Sequence, residues 1–268
     1  MRICLVYIGE DKNRCRHKKS VFGFLLLDYS IDLFFTKPPM IFSINNYNHI
    51  STFYPFLEKL AFGSTLQTFR HLIVKSIRFK KKILIIGEGN GHLLKIIMND
   101  LRNINITIVE DSSSMCMKIN KFQHNKHGNE IKILNAGIEE YKNFFIHDCI
   151  ITSFFWDNFE SSEIRSYFPT FSDGISSDCI WINVDFHDHT YPSSPSEIVN
   201  HLLIRFLYLF FGLTTGIKAK RIFAMKNLAL ENGFSLVKEA HQSFPFIVFE
   251  CFVKDNFSST YSINPIES

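Results

Sequence analysis

The sequence predicts an α/β fold: a doubly wound sheet of seven strands, five parallel plus a C-terminal antiparallel hairpin, with helices on both faces. Three observations carry this. Apolar strand-like runs at 83–87, 104–109, 131–135, 148–153 and 178–184 alternate with helix-patterned stretches at 92–101, 112–122 and 159–168. That alternation is the mark of a parallel sheet covered on both faces. Two further strand-like runs, 234–239 and 246–253, are joined by a link too short for a parallel crossover, so they pair antiparallel. Finally, the first parallel strand breaks into a glycine cluster and then a helix, in the stretch ILIIGEGNGHLLKII from Ile83 to Ile97.

Composition bounds the function. The chain has 268 residues, 46% hydrophobic and 21% charged, enough for one large domain or one domain with an appendage. Its 29 basic and 26 acidic residues nearly balance, which argues against a polyanionic partner such as nucleic acid. Phenylalanine is abundant, at 29 residues, and reads as compositional bias, so no single Phe carries functional weight by itself. The 6 cysteines are scattered without a C-x-x-C pair and mostly inside apolar runs. This predicts reduced thiols, a cytoplasmic setting and no structural metal. No apolar stretch reaches the roughly 20 residues of a bilayer-spanning helix. The first residues, with ICLVYIG followed at once by charges, make a poor signal peptide.

Two prolines in TKPPM, Thr36 to Met40, mark the first boundary. Residues 1–39 therefore read as an N-terminal extension outside the core, and 40–268 as the main domain. Within the latter, a helical lid covers about 47–78. Leu57, Leu60, Leu66, Phe69, Leu72 and Ile73 recur there at helical spacing, in two pieces broken near Gly63.

The glycine turn has three readings. A dinucleotide fingerprint needs G-x-G-x-x-G, but the third glycine position is His92. A phosphate-binding loop needs a Lys in register, and none follows. What remains is G-x-G-x-G, from Gly87, Gly89 and Gly91, with Glu88 between the first two. At the end of the next strand, Glu110 supplies a carboxylate able to accept two ribose hydroxyls, followed by Asp111. Met115, Ile119 and Phe122 then fall on one helical face, with Met115 early enough to reach an adenine.

These residues resemble the class I S-adenosylmethionine-dependent methyltransferases, whose sheet is Rossmann-like. ILIIGEGNG is similar to their first motif and VEDSSSMCMK to their acidic second-strand motif. HDCIITSFFWDNF resembles the fourth strand with its exit loop, SDCIWINVDF the fifth, and ALENGFSLVKE the passage into the hairpin. YNHISTFYPFLEKLAFG is similar to the N-terminal lid of quinone-biosynthesis-like members. The likeness spans roughly 47–254, with the motifs in the family's order. It implies S-adenosyl-L-methionine as cofactor and methyl transfer to a small molecule as the activity. Gly87, Glu88, Gly89 and Gly91 would hold the amino-acid end, with Glu88 near the ammonium, and Glu110 the ribose. Met115 and, at the adenine edge, Ala136, Gly137 and Ile138 would follow, with Asp111 also among the cofactor-binding residues and Ser153 and Phe154 along the methyl path.

Other constellations are weaker. DFHDH follows the fifth strand, so Asp185 or His187 is a candidate general base, against the alternative of an exposed polar loop. IVNHLLIRFLYLFFGL, at 198–213, reads as a buried helix against the sheet, as a hydrophobic lid over an apolar acceptor, or as an interfacial helix that reaches lipid-soluble substrates. With Tyr54 and Phe56 it would form an apolar chamber, favouring a hydrophobic acceptor methylated on carbon or oxygen. Neither the [DNS]-P-P-[YF] stretch of base and glutamine methylation nor a Pro-Cys nucleophile is present. A non-catalytic cofactor-binding module is the reading from another class.

Overall fold

A computed structural model describes residues 4–6, 65–122, 127–186, 223–243 and 246–255. In chain order the strands are β1 (Cys4–Val6), β2 (Lys82–Ile86), β3 (Asn105–Glu110) and β4 (Glu130–Asn135). They continue with β5 (Cys149–Ser153), β6 (Ile180–Phe186), β7 (Phe234–Ser243) and β8 (Phe246–Lys254). The helices are α1 (Thr65–Ser76), α2 (His92–Asp100), α3 (Ser113–Asn120), α4 (Ser161–Gly174) and α5 (Met225–Glu231).

One sheet contains all eight strands, in the order β1-β7-β8-β6-β5-β2-β3-β4. Strands β2 to β6 are mutually parallel, and β8 runs antiparallel between β6 and β7. The seven expected strands are present with the expected directions. The eighth is an addition: Cys4–Val6 pairs antiparallel with the outer side of β7, Leu5 opposite Ala240. Part of the predicted extension thus lies on the sheet edge. The three-residue strand is too short to show a period-two pattern in the sequence.

Alternation along β2 explains why the sheet is covered twice. Ile83 and Ile85 enter a core with Phe69 and Ile73 of α1 and Leu94 and Ile97 of α2. Leu84 and Ile86 enter the other, with Phe168 and Phe171 of α4 and Leu228 of α5. The second core is aromatic: Trp181 stacks on Phe252 with centroids 4.8 Å apart, and Trp156 meets Phe171 edge-on at 5.4 Å. The sequence pattern ends the helix before Pro169, but α4 continues through it to Gly174. Buried Phe168 and Phe171 flank that proline, and their packing outweighs the backbone bond it forfeits.

The chain order reverses beside β2, because β3 and β5 lie on its two sides. Ligands of open α/β sheets bind at the carboxyl ends of strands at such a switch point. Among the described residues, no helix is long and apolar enough to cross a membrane.

Candidate functional site

The glycine turn leaves β2 at this switch point. Gly87, Gly89 and Gly91 have φ of 70°, 63° and 75°, a left-handed run that side chains resist. The turn is tied to its neighbour strand, since Gly87 N donates to Val109 O at 2.9 Å. Space differs around the three glycines. A Cβ at Gly91 would lie 2.9 Å from the Phe122 ring and one at Gly87 2.7 Å from the Phe155 ring, whereas one at Gly89 would meet nothing within 4 Å. Gly89 therefore faces open space, as backbone that cradles a ligand should.

Two carboxylates set the shape of this turn. Glu88 reaches forward to accept Leu94 N at 2.9 Å, serving the first turn of α2, whose N-cap Gly91 has no side chain to offer. Glu110, at the end of β3, accepts Gly89 N through one oxygen and Ser112 N through the other, both at 3.0 Å. A carboxylate oxygen has two lone pairs, so ligand hydroxyls can be accepted beside the two backbone bonds, in place of the contact that the carboxyl makes with Asp111. Burial pushes both acids up to about 7; the backbone bonds oppose the shift but do not cancel it. Glu88 also lies in the field of Arg70, which favours its charged form.

The remaining predicted residues gather at the carboxyl edge of the sheet. Asp111 is exposed, and its carbonyl accepts Asn135 Nδ2 at 2.8 Å; the same amide nitrogen reaches Glu110 O at 3.0 Å. Ala136 N also donates to Glu110 O, so the ends of β3 and β4 are bound together just before Gly137 and Ile138. Ile138 is buried. Met115 is buried in the first turn of α3, capped by Ser112, and Phe122 beyond it covers Gly91. Ser153 ends β5 opposite Val184, and Phe154 follows with φ of 52° and its ring 5.1 Å from Phe186.

Asp185 ends up inside the protein. It is buried at the end of β6, with Phe186 N donating to its Oδ1 at 2.8 Å. Burial, then the nearby Asp157, hold its carboxyl well above the usual range, and burial pushes Asp157 itself up to about 7. The exposed-loop alternative thus fails for Asp185. His187, Tyr54, Phe56, Gly63 and the 198–213 stretch lie outside the described residues.

Three residues of the site, Asn135, Phe155 and Asn158, are not singled out by the sequence reading, although Phe155 and Asn158 lie inside the stretch HDCIITSFFWDNF. Below the site runs a registered polar row across the sheet. Trp181 Nε1 donates to Thr152 Oγ1, which donates to Asn183 Oδ1, both at 2.9 Å; Asn183 Nδ2 donates to Glu250 at 3.0 Å. Glu239, opposite Glu250, accepts Lys226 Nζ at 3.0 and 3.1 Å. Four cysteines (Cys116, Cys149, Cys179 and Cys251) are buried free thiols, and burial pushes Cys179 and Cys251 up to about 12. Among the described residues, no cluster of three or more His, Cys, Asp or Glu could hold a metal ion.

No protein-family model matches the chain, and no curated protein matches it. Solved structures do. Mitomycin 7-O-methyltransferase MmcR is similar with a TM-score of 0.57 at 13% identity, over 78% of this chain and 60% of that one. Magnesium protoporphyrin IX methyltransferase ChlM from Synechocystis PCC 6803, with bound SAH, gives 0.57 at 13% identity, over 78% and 95%. N-methyltransferase NodS from Bradyrhizobium japonicum WM9, in complex with S-adenosyl-L-homocysteine, gives 0.54 at 11% identity, over 79% and 99%. The chain spans about three fifths of the length of the mitomycin enzyme. At these identities the likeness is one of fold, the Rossmann-like fold that these methyltransferases share.

Proposed function

We propose that this chain transfers a methyl group from S-adenosylmethionine to a small, apolar acceptor, on carbon or oxygen. One observation carries the reading: the left-handed glycine turn and the Glu110 carboxylate meet at the switch point, joined through Gly89 N. Open space at Gly89 fits the amino-acid end of the cofactor, and the Glu110 carboxylate fits its two ribose hydroxyls. Met115, Asp111, Gly137 and Ile138 would border the adenine; Ser153 and Phe154 would border the methyl path. The cofactor, when bound, supplies an activated methyl on a sulfonium.

The protein's part is placement. Transfer would be an in-line displacement, with the acceptor gaining the methyl that the sulfonium gives up and S-adenosylhomocysteine as the leaving group. Holding both partners aligned is worth several kcal/mol without any dedicated base. Asp185 suits the role of base poorly, because it is buried at the end of β6 and its Oδ1 already accepts Phe186 N. His187 remains the candidate base for an acceptor that must lose a proton. The Phe154–Phe186 ring pair at the ends of β5 and β6 supports an apolar acceptor, since an unpaired polar group against such rings is costly to bury. Peripheral lipid contact through 198–213 belongs to the same proposal. The buried, hydrogen-bonded Asp185 also favours a second reading, binding of S-adenosylmethionine without transfer.

Calorimetry with S-adenosylmethionine, S-adenosylhomocysteine and NAD tests the donor. Preference for NAD, or no binding of either S-adenosyl compound, overturns it. Labelled methyl transfer into metabolite extracts then separates the two readings, and incorporation only into polar products refutes the apolar acceptor.

A further inference from the structure

We infer that Phe155 is a positioning residue that holds the glycine turn in its donor-binding shape, and that Asn158 is the bracket that holds Phe155. The inference rests on the proposed donor site and gives two residues of its border separate roles.

The exit loop of β5 is strained and then locked. Phe154 sits at φ 52°, a conformation that a bulky side chain rarely adopts unless its surroundings enforce it. Three bonds enforce it. Phe154 N donates to Val184 O of β6 at 2.8 Å. Asn158 Nδ2 donates to the carbonyls of both Phe154 and Phe155, each at 2.9 Å. Asn158 thus staples the two residues whose rings part company. The Phe154 ring goes to Phe186, while the Phe155 ring goes to Gly87.

That second contact is the telling one. Gly87 is the first left-handed residue of the turn, and a Cβ there would come within 2.7 Å of Phe155 Cδ2. The ring therefore occupies the room beside Gly87 and limits how far the turn can relax toward β5. Its own position is set from behind by Trp156 and Phe159, with centroids 5.0 and 5.1 Å away. On the far side, Glu110 holds Gly89. The turn is clasped between a ring and a carboxylate, and preorganisation of this kind raises affinity by lowering the ordering cost on binding.

The test titrates S-adenosylhomocysteine by calorimetry into the full chain and its variants, each paired with a thermal melt. Phe155→Ala should weaken binding by about tenfold, while Phe155→Leu, which keeps bulk beside Gly87, should stay within about threefold. Asn158→Asp, which replaces the donor to both carbonyls with an acceptor, should weaken binding by about three- to tenfold. Conservative rescue by leucine is what a merely structural ring loss would not show. Affinities of Phe155→Ala and Asn158→Asp within about twofold of wild type overturn the inference and leave the donor site standing. Failure of the wild-type chain to bind overturns the donor site itself. Should Phe155→Ala not fold, Asn158→Asp decides, because it keeps every ring.

Discussion

The carboxylate of Glu110 accepts the amide of Gly89 at 3.0 Å, so the acidic end of β3 and the glycine turn after β2 form one unit. Glu110→Ala removes both the tether and the acceptor for the ribose hydroxyls. The expected loss in S-adenosylhomocysteine affinity is about 1.5–3 kcal/mol. Unchanged affinity in the alanine variant would rule out the assignment of Glu110.

The same carboxyl predicts a pH dependence. Burial holds it at about 7, so near pH 6 it is mostly protonated and near pH 8 mostly ionised. Only the ionised form accepts two hydroxyls with full strength. Affinity should therefore rise from pH 6 to 8 and level off above. In Glu110→Ala the rise should shrink to what Glu88, also at about 7, contributes. Calorimetry across this range checks it; an affinity that falls with pH contradicts the role.

Gly89 and Gly91 share a left-handed backbone but not their surroundings, which separates binding from stability. Gly91→Ala meets both the φ penalty and the Phe122 ring, so stability should drop by about 1–2 kcal/mol or more. Gly89→Ala meets only the φ penalty, yet its methyl enters open space where the donor would lie. The expected order is therefore that Gly91→Ala melts lower while Gly89→Ala binds worse per degree of melting lost. The reverse order, from paired melts and titrations, would mean that Gly89 does not face the ligand.

These contrasts show which features the sequence makes legible. Glycine spacing, the acid at the end of β3 and the alternation of strands and helices are local, and local patterns follow backbone sterics and periodicity. Phe155 on Gly87, Asn158 on its two carbonyls and Asp157 beside Asp185 pair residues through tertiary placement, and an Asn in a loop looks like any other Asn. Glu88 illustrates the middle ground: its place in the turn is legible, but its bond to Leu94 N depends on a helix cap that lacks a side chain. The course of α4 through Pro169 similarly follows from burial of its neighbours, against local propensity.

The N-terminal boundary yields a further expectation. Among the described residues, Cys4–Val6 pairs with β7 alone, at the edge of the sheet, with β8, β6 and β5 between β7 and β2. A chain shortened to 40–268 should lose that edge pairing and some stability, yet still bind S-adenosylhomocysteine within about threefold of the full chain. Loss of binding in a shortened chain that remains folded would place residues 1–39 in the site.

The buried row beneath the site predicts how stability varies with pH. Glu250 is 4% exposed and hydrogen-bonded to Asn183, with Glu239 opposite, Asp185 nearby on β6 and Lys226 of α5 the cation in reach. Burial raises its folded value to about 7, above the ordinary 4.5. A raised carboxyl pKa means that the folded state holds its proton more tightly than the unfolded chain does. Its ionisation therefore leaves stability untouched below about pH 4.5, erodes it between there and 7, and exerts its full cost above 7. Glu250→Gln keeps an oxygen for Asn183 and removes the charge. Relative to wild type it should gain about 1–3 kcal/mol at pH 8, with the gain vanishing toward pH 4.5. Urea unfolding at the two pH values measures the difference directly. A glutamine variant less stable than wild type at pH 8 would mean that the ionised carboxylate is needed by the row, with Lys226 shared between Glu239 and Glu250.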